Sequence, residues 1–233
     1  MRLDRFISKT TRESNRRIRD WIQNGQVWVD GQPCLDGTRR ITEFSQVRCN
    51  GIELPCKQAQ YWLMNKAAGI LSATRDANHR TVIEELATQQ PELDLTEIHI
   101  AGRLDRATTG LLILTNDGNW SKRLTRPEIK IPKTYLVTTA HPIDPGTEAR
   151  FAEGIHFPYE GITTSPAQLT RLGSQQARLT IYEGKYHQIK RMFGVFRNPV
   201  VALHRERMGE ITLEPSLPPG NCRRLTRAEI DWL

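Results

Sequence analysis

The chain has 233 residues, 38% of them hydrophobic and 25% charged, with 33 Lys and Arg against 26 Asp and Glu for a formal charge of +7. That length can hold one large domain or a small one joined to a medium one, and two domains are expected. The mean hydropathy of −0.53 and the lack of an apolar run near the roughly 20 residues of a membrane-spanning helix exclude a disordered or bilayer-spanning chain, and a pI near 9.5 suggests a polyanionic partner.

From the amino terminus, Leu3, Phe6 and Ile7 share one helical face, and Ile18, Trp21 and Ile22 repeat that spacing in a second helix that Gly25 can end. At about 100° per residue, Arg16, Arg19 and Gln23 fall opposite Ile18 and Ile22, a basic stripe that by itself reads equally as a solvated face. The period then changes to two in Val27-Trp28-Val29, with hairpin turns expected at Asp30-Gly31 and Asn50-Gly51. This completes a unit over residues 1–57, and the polar stretch 55–60 reads as a linker. Residues 61–233 form the second unit. Strands are expected at 61–64, 98–100, 111–115, 134–139, 177–183, 199–203 and 210–214, and helices near 81–88, from Asn119, and near 146–153, 187–196 and 226–232. Their irregular order predicts an α+β fold with a mixed or antiparallel sheet. Met1-Arg2-Leu3-Asp4-Arg5 has no signal-peptide core, so the cytoplasm is the expected location. Cys34, Cys49, Cys56 and Cys222 form no C-x-x-C pair; reduced thiols and no metal site are expected.

The stretch GRLDRATTGLLILTNDG, residues 102–118, places Asp105 between Arg103 and Arg106, ahead of a run of four aliphatics. An aspartate flanked by arginines at a turn is ordinarily a surface ion pair or a cap. Here, a strand end at His99-Ile100-Ala101, glycines at 102 and 110 and a buried strand at Leu111–Leu114 put it on a loop held between two core strands, a good place for a reacting group. Metal-assisted hydrolysis would want a ligand cluster, and glycoside hydrolysis a second carboxylate; Asp117, in Asn116-Asp117-Gly118, reads as part of a turn. What remains is a single carboxylate acting on a substrate held by basic groups, with no cofactor.

Residues 102–118 resemble the central motif of pseudouridine synthases, in the branch that acts on ribosomal RNA. Asn65-Lys66-Ala67-Ala68-Gly69, Lys133-Thr134-Tyr135-Leu136-Val137, residues 183–192 and His204–Gly209 resemble further motifs of that family in the same order, with Ala67 standing where the family usually has proline. The first quarter resembles an S4-like RNA-binding domain. The resemblance implies Asp105, Tyr135 and Lys190 as catalytic residues: the carboxylate, a ring stacked on the target base, and the basic partner of the carboxylate. Whether Asp105 attacks the sugar, attacks the ring or removes a sugar proton stays open. Arg103 is implied to fill the space of a flipped-out base. With Arg16, Arg19, His187, Arg191 and Arg205, it is expected to face RNA. Segments 185–193 and 203–207 resemble the small-subunit members of the family, implying 16S rRNA, naked or in a partly assembled particle, as the partner of a monomeric enzyme. The same chemistry on 23S rRNA, a silent RNA-binding assembly factor and a nucleoside or sugar hydrolase are the rivals.

Overall fold

The computed structural model describes residues 1–233, which divide into two compact units, Met1–Ala59 and Gln60–Leu233. The first contains α1 (Leu3–Thr11) and α2 (Asn15–Gln23), then β1 (Val27–Val29), β2 (Gln32–Pro33), β3 (Val47–Cys49) and β4 (Ile52–Glu53) in a sheet of order β2-β1-β3-β4. Leu3 and Ile7 of α1 and Ile18 and Ile22 of α2 are buried against Val27, Val29 and Val47. The period-3.6 and period-2 apolar positions therefore meet in one small core. Asp30-Gly31 and Asn50-Gly51 have positive φ at both residues, the twist a two-residue hairpin turn needs.

The second unit runs β5 (Tyr61–Lys66), α3 (Val82–Gln89), β6 (His99–Ala101), β7 (Thr109–Thr115), α4 (Gly118–Thr125), β8 (Lys133–Thr139), α5 (Thr147–Glu153), β9 (His156–Phe157), β10 (Ile162–Thr163), β11 (Gln168–Arg171), β12 (Gln176–Ile181), α6 (Gln188–Gly194), β13 (Val200–Met208), β14 (Ile211–Thr212), β15 (Cys222–Arg224) and α7 (Arg227–Asp231). Its nine-stranded sheet has the order β11-β12-β8-β13-β7-β5-β15, with β14 on β13 and β6 on β7. The β7–β13 pair is parallel and its neighbours in the sheet are antiparallel, so the sheet is mixed. No helix is long and apolar enough to cross a membrane.

β7 explains the aliphatic run. Leu112 and Leu114 enter the core on one sheet face with Val137 and Phe193, while Leu111 and Ile113 enter the core on the other with Trp120 and Leu124. Helix α3 starts at a capping box: the Thr81 hydroxyl accepts from Glu84 N and Thr81 N donates to Glu84 Oε2. Asp117 is a helix cap rather than a plain turn residue: Oδ1 accepts from Asn119 N and Trp120 N, both at 3.0 Å, and Oδ2 from the Tyr61 hydroxyl at 2.8 Å. The short β9–β10 hairpin, β11 and the edge strand β15 were not expected, and β13 runs to Met208, well past residue 203.

At the β7–β13 crossing Gly110 has φ +99° and sits opposite Arg205. A Cβ there would overlap the Arg205 carbonyl oxygen and stand 2.8 Å from Arg205 N. Gly110→Ala should therefore destabilise the fold by about 3 kcal/mol or more. Urea denaturation followed by circular dichroism checks this, and a loss under about 1 kcal/mol would mean that the two strands part at little cost.

Candidate active site

Asp105 sits on the connection between β6 and β7, and that connection is strapped down along its length. The Arg106 carbonyl accepts from Gly69 N at 2.9 Å, Leu104 N donates to the Ser72 hydroxyl at 3.1 Å, and Thr108 N donates to the Asp105 carbonyl at 3.0 Å. Two fully buried cations complete the strapping. Lys66 Nζ, at the end of β5, donates to the carbonyls of Ala67 (3.0 Å), Arg106 (3.1 Å) and Thr108 (2.8 Å). From β13, Arg205 donates through Nε to Leu111 O and through Nη2 to Gly102 O, both at 2.7 Å, so one guanidinium holds the chain on both sides of Asp105.

The facing wall is helix α6 with the turn before it. Lys190 Nζ donates to Asp105 Oδ2 at 3.0 Å, and His187 Nε2 stands 3.5 Å from Oδ1. His187 has left-handed backbone angles (φ 47°, ψ 31°), an uncommon state for a residue with a side chain, and it aims the imidazole at the carboxylate. Glu183 anchors the turn: it accepts from Ser165 N (3.0 Å), Gln188 Nε2 (2.8 Å) and Lys185 Nζ (2.5 Å). Burial alone would raise the Glu183 carboxyl, but its bonds to Lys185 and Ser165 outweigh burial and hold it below its ordinary value.

Arg103, Asp105, Tyr135, His187 and Lys190 line one cleft, in which Asp105 is the sole carboxylate. Tyr135, on β8, is 6% exposed, with its hydroxyl 3.5 Å from Arg205 Nη1. Of the arginines expected to face RNA, Arg205 is enclosed and Arg191 has partners within the chain. Arg205 is 1% exposed, because a β13 side chain on that face points into the sheet crossing and spends its donors on carbonyls there. Arg191 lies 3.9 Å over the Phe157 ring and is paired with Glu160 of the β9–β10 hairpin. In the first unit Arg16 and Arg19 are exposed on α2. Arg19 lines a groove of about 700 Å³ together with Arg5 and Lys9 of α1. Sequence periodicity had drawn attention to α2 alone; the i, i+4 spacing of Arg5 and Lys9 was the available signal for α1.

The family model described as RNA pseudouridylate synthase matches residues 60–194, and the S4 domain model matches residues 1–51. The chain belongs to the RNA pseudouridylate synthase family. Like this family member, a Pseudomonas aeruginosa protein named ribosomal small subunit pseudouridine synthase A extends over both regions; it is 48% identical over 99% of each chain. An Escherichia coli K12 protein of the same name is 41% identical over 99% of this chain and 98% of its own. A crystal structure described as that of a pseudouridylate synthase superposes with a TM-score of 0.69 at 36% identity, covering 99% of this synthase and 98% of that chain.

Burial pushes Lys66 down to about 8, with nearby Asp105 opposing the shift. The folded pKa thus lies below the ordinary 10.5, so the unfolded chain holds more protons between about pH 8 and 10.5 and stability rises with pH across that window. Lys66→Met removes the titrating group and leaves three carbonyls without their donor. At pH 7 it should destabilise the chain by about 2–4 kcal/mol. Between pH 8 and 10 its stability should climb less steeply than that of the parent. Urea midpoints across that range read both effects, and a parallel pH profile would show that Lys66 titrates outside it.

Proposed function

We propose that this enzyme isomerises one uridine of 16S small-subunit ribosomal RNA to pseudouridine, acting in the cytoplasm as a monomer on naked RNA or on a partly assembled particle. The observation that carries the chemistry is the lone carboxylate of Asp105 with the Lys190 ammonium at 3.0 Å, in a cleft whose wall includes Tyr135. The choice of 16S rests on likeness over essentially the full chain to proteins named for the small subunit.

The reaction breaks the bond from ribose C1′ to uracil N1, turns the ring and joins C1′ to C5; the C5 proton is lost and N1 gains one, so composition is unchanged. A single positioned carboxylate suffices, whether it attacks C1′, adds to the ring or takes a sugar proton. Lys190 supplies the adjacent positive charge, Tyr135 stacks on the target base, and exposed Arg103 occupies the space the flipped base leaves. Residues 1–57 supply a second RNA contact through Arg16 and Arg19.

Incubating the protein with 16S and 23S transcripts and mapping pseudouridine by carbodiimide-blocked primer extension tests the proposal. One modified uridine is expected in 16S and none in 23S. Asp105→Asn should slow the reaction at least about 1,000-fold and Lys190→Met about 10-fold or more. Release of free uracil, or full turnover by Asp105→Asn, would overturn the assignment.

The α2 stripe has its own readout. Replacing both Arg16 and Arg19 with Ala should weaken binding of the 16S transcript and flatten the plot of log affinity against log salt by about 1.4. Unchanged affinity and slope would remove these residues from the interface.

A further inference from the structure

Tyr159 and Tyr186 are the most exposed large aromatic side chains, at 98% and 77%. Exposure alone says little, and for Tyr159, at the end of the β9–β10 hairpin, there is nothing further. Tyr186 differs in three ways. Its ring is stacked on the His187 ring, with centroids 3.9 Å apart and planes within 20°. Its carbonyl accepts from Arg191 Nη1 at 3.4 Å, which steadies the turn. Through His187, whose Nε2 is 3.5 Å from Asp105 Oδ1, it is continuous with the cleft.

One face of the Tyr186 ring is therefore covered by an imidazole, and most of the residue remains open to solvent beside the reacting carboxylate. The solvent-facing side of that ring buries no apolar surface within the chain. Extruding a nucleotide from a strand leaves its neighbour without a stacking partner, and aromatic faces meet that need in proteins that hold single-stranded RNA. Arg103, Lys185 and Lys190 line the same cleft against one carboxylate, Asp105, so its net charge is positive and favours a polyanionic strand.

We propose that the Tyr186–His187 stack is a platform for the unpaired base next to the target uridine. Tyr186 thereby sets which local RNA conformation is accepted, distinct from the contact Tyr135 makes with the target itself. The inference rests on RNA being the substrate, as proposed above. Because every base has a π-face, the platform selects an unstacked neighbour more than a particular base.

The test uses the full chain and a 16S transcript, with filter binding beside single-turnover kinetics. Tyr186→Ala should weaken binding about 5- to 150-fold. Tyr186→Phe should restore affinity to within about twofold of the parent, and Tyr159→Ala should stay within the same range. The loss should fall on the RNA concentration for half-maximal rate more than on the maximal rate. Ultraviolet cross-linking of the bound transcript should place a nucleotide adduct on Tyr186. The proposal is overturned if Tyr186→Ala binds as the parent does, if Tyr186→Phe is as weak as Tyr186→Ala, or if only the maximal rate falls, which would make Tyr186 a positioning residue for His187. Should the parent bind 16S without modifying it, the reaction assignment fails while the binding comparison still decides the platform.

Discussion

Two buried cations spending their N–H groups on backbone carbonyls hold the reactive loop in place. Lys66 and Arg205 are among the largest fully buried side chains, and between them they bond the carbonyls of Gly102, Arg106, Thr108 and Leu111. A loop crossing the top of a sheet has peptide carbonyls that no strand partner reaches, and leaving them unpaired away from water is costly. A charged donor bonds a carbonyl more strongly than a neutral one, which offsets part of the cost of burying the charge. The loop gains a fixed path, and Asp105 is presented from it without being buried itself.

The other half of the site depends on that path. Lys190 and Asp105 are 85 residues apart in the chain, and they meet because β13, which follows α6, crosses β7 in the parallel sense at Thr109 and Gly110. Gly110 lets the backbones approach, and Arg205 at the same register reaches the loop from behind. On the near side, the Glu183 network and the left-handed backbone of His187 turn the start of α6 toward the carboxylate. Sheet crossing, buried cation and helix start thus act as one support for the Asp105–Lys190 pair.

Much of this was legible in residue order. Apolar spacing in residues 3–22 located two helices, Asp30-Gly31 and Asn50-Gly51 marked turns that have the expected twist, and the aliphatic run after Gly110 marked a strand buried on both faces. The pieces that escaped notice are short or lie at edges. Strands β9 and β10 have two residues each and β15 has three, too few to show a period of two. Asp117, read as a turn residue, proved to be the cap that begins α4.

Sequence alone determined the elements that rest on local rules: the amphipathic helices, the hairpin turns at Asp30-Gly31 and Asn50-Gly51, and the loop bearing Asp105 between two strands. It also showed how many charges the chain carries, but not what each one touches. Arg191 and Arg205 stand in a basic run that reads as an RNA-facing surface, yet one is paired with Glu160 and the other is enclosed at a strand crossing. Lys190, in the same run, reaches the Asp105 carboxylate. Arginines in one run are alike in sequence, and only the folded chain decides which are enclosed. The partner available to a long cation depends on carbonyls and carboxylates brought near from distant segments, a matter of strand order and register that local spacing does not encode.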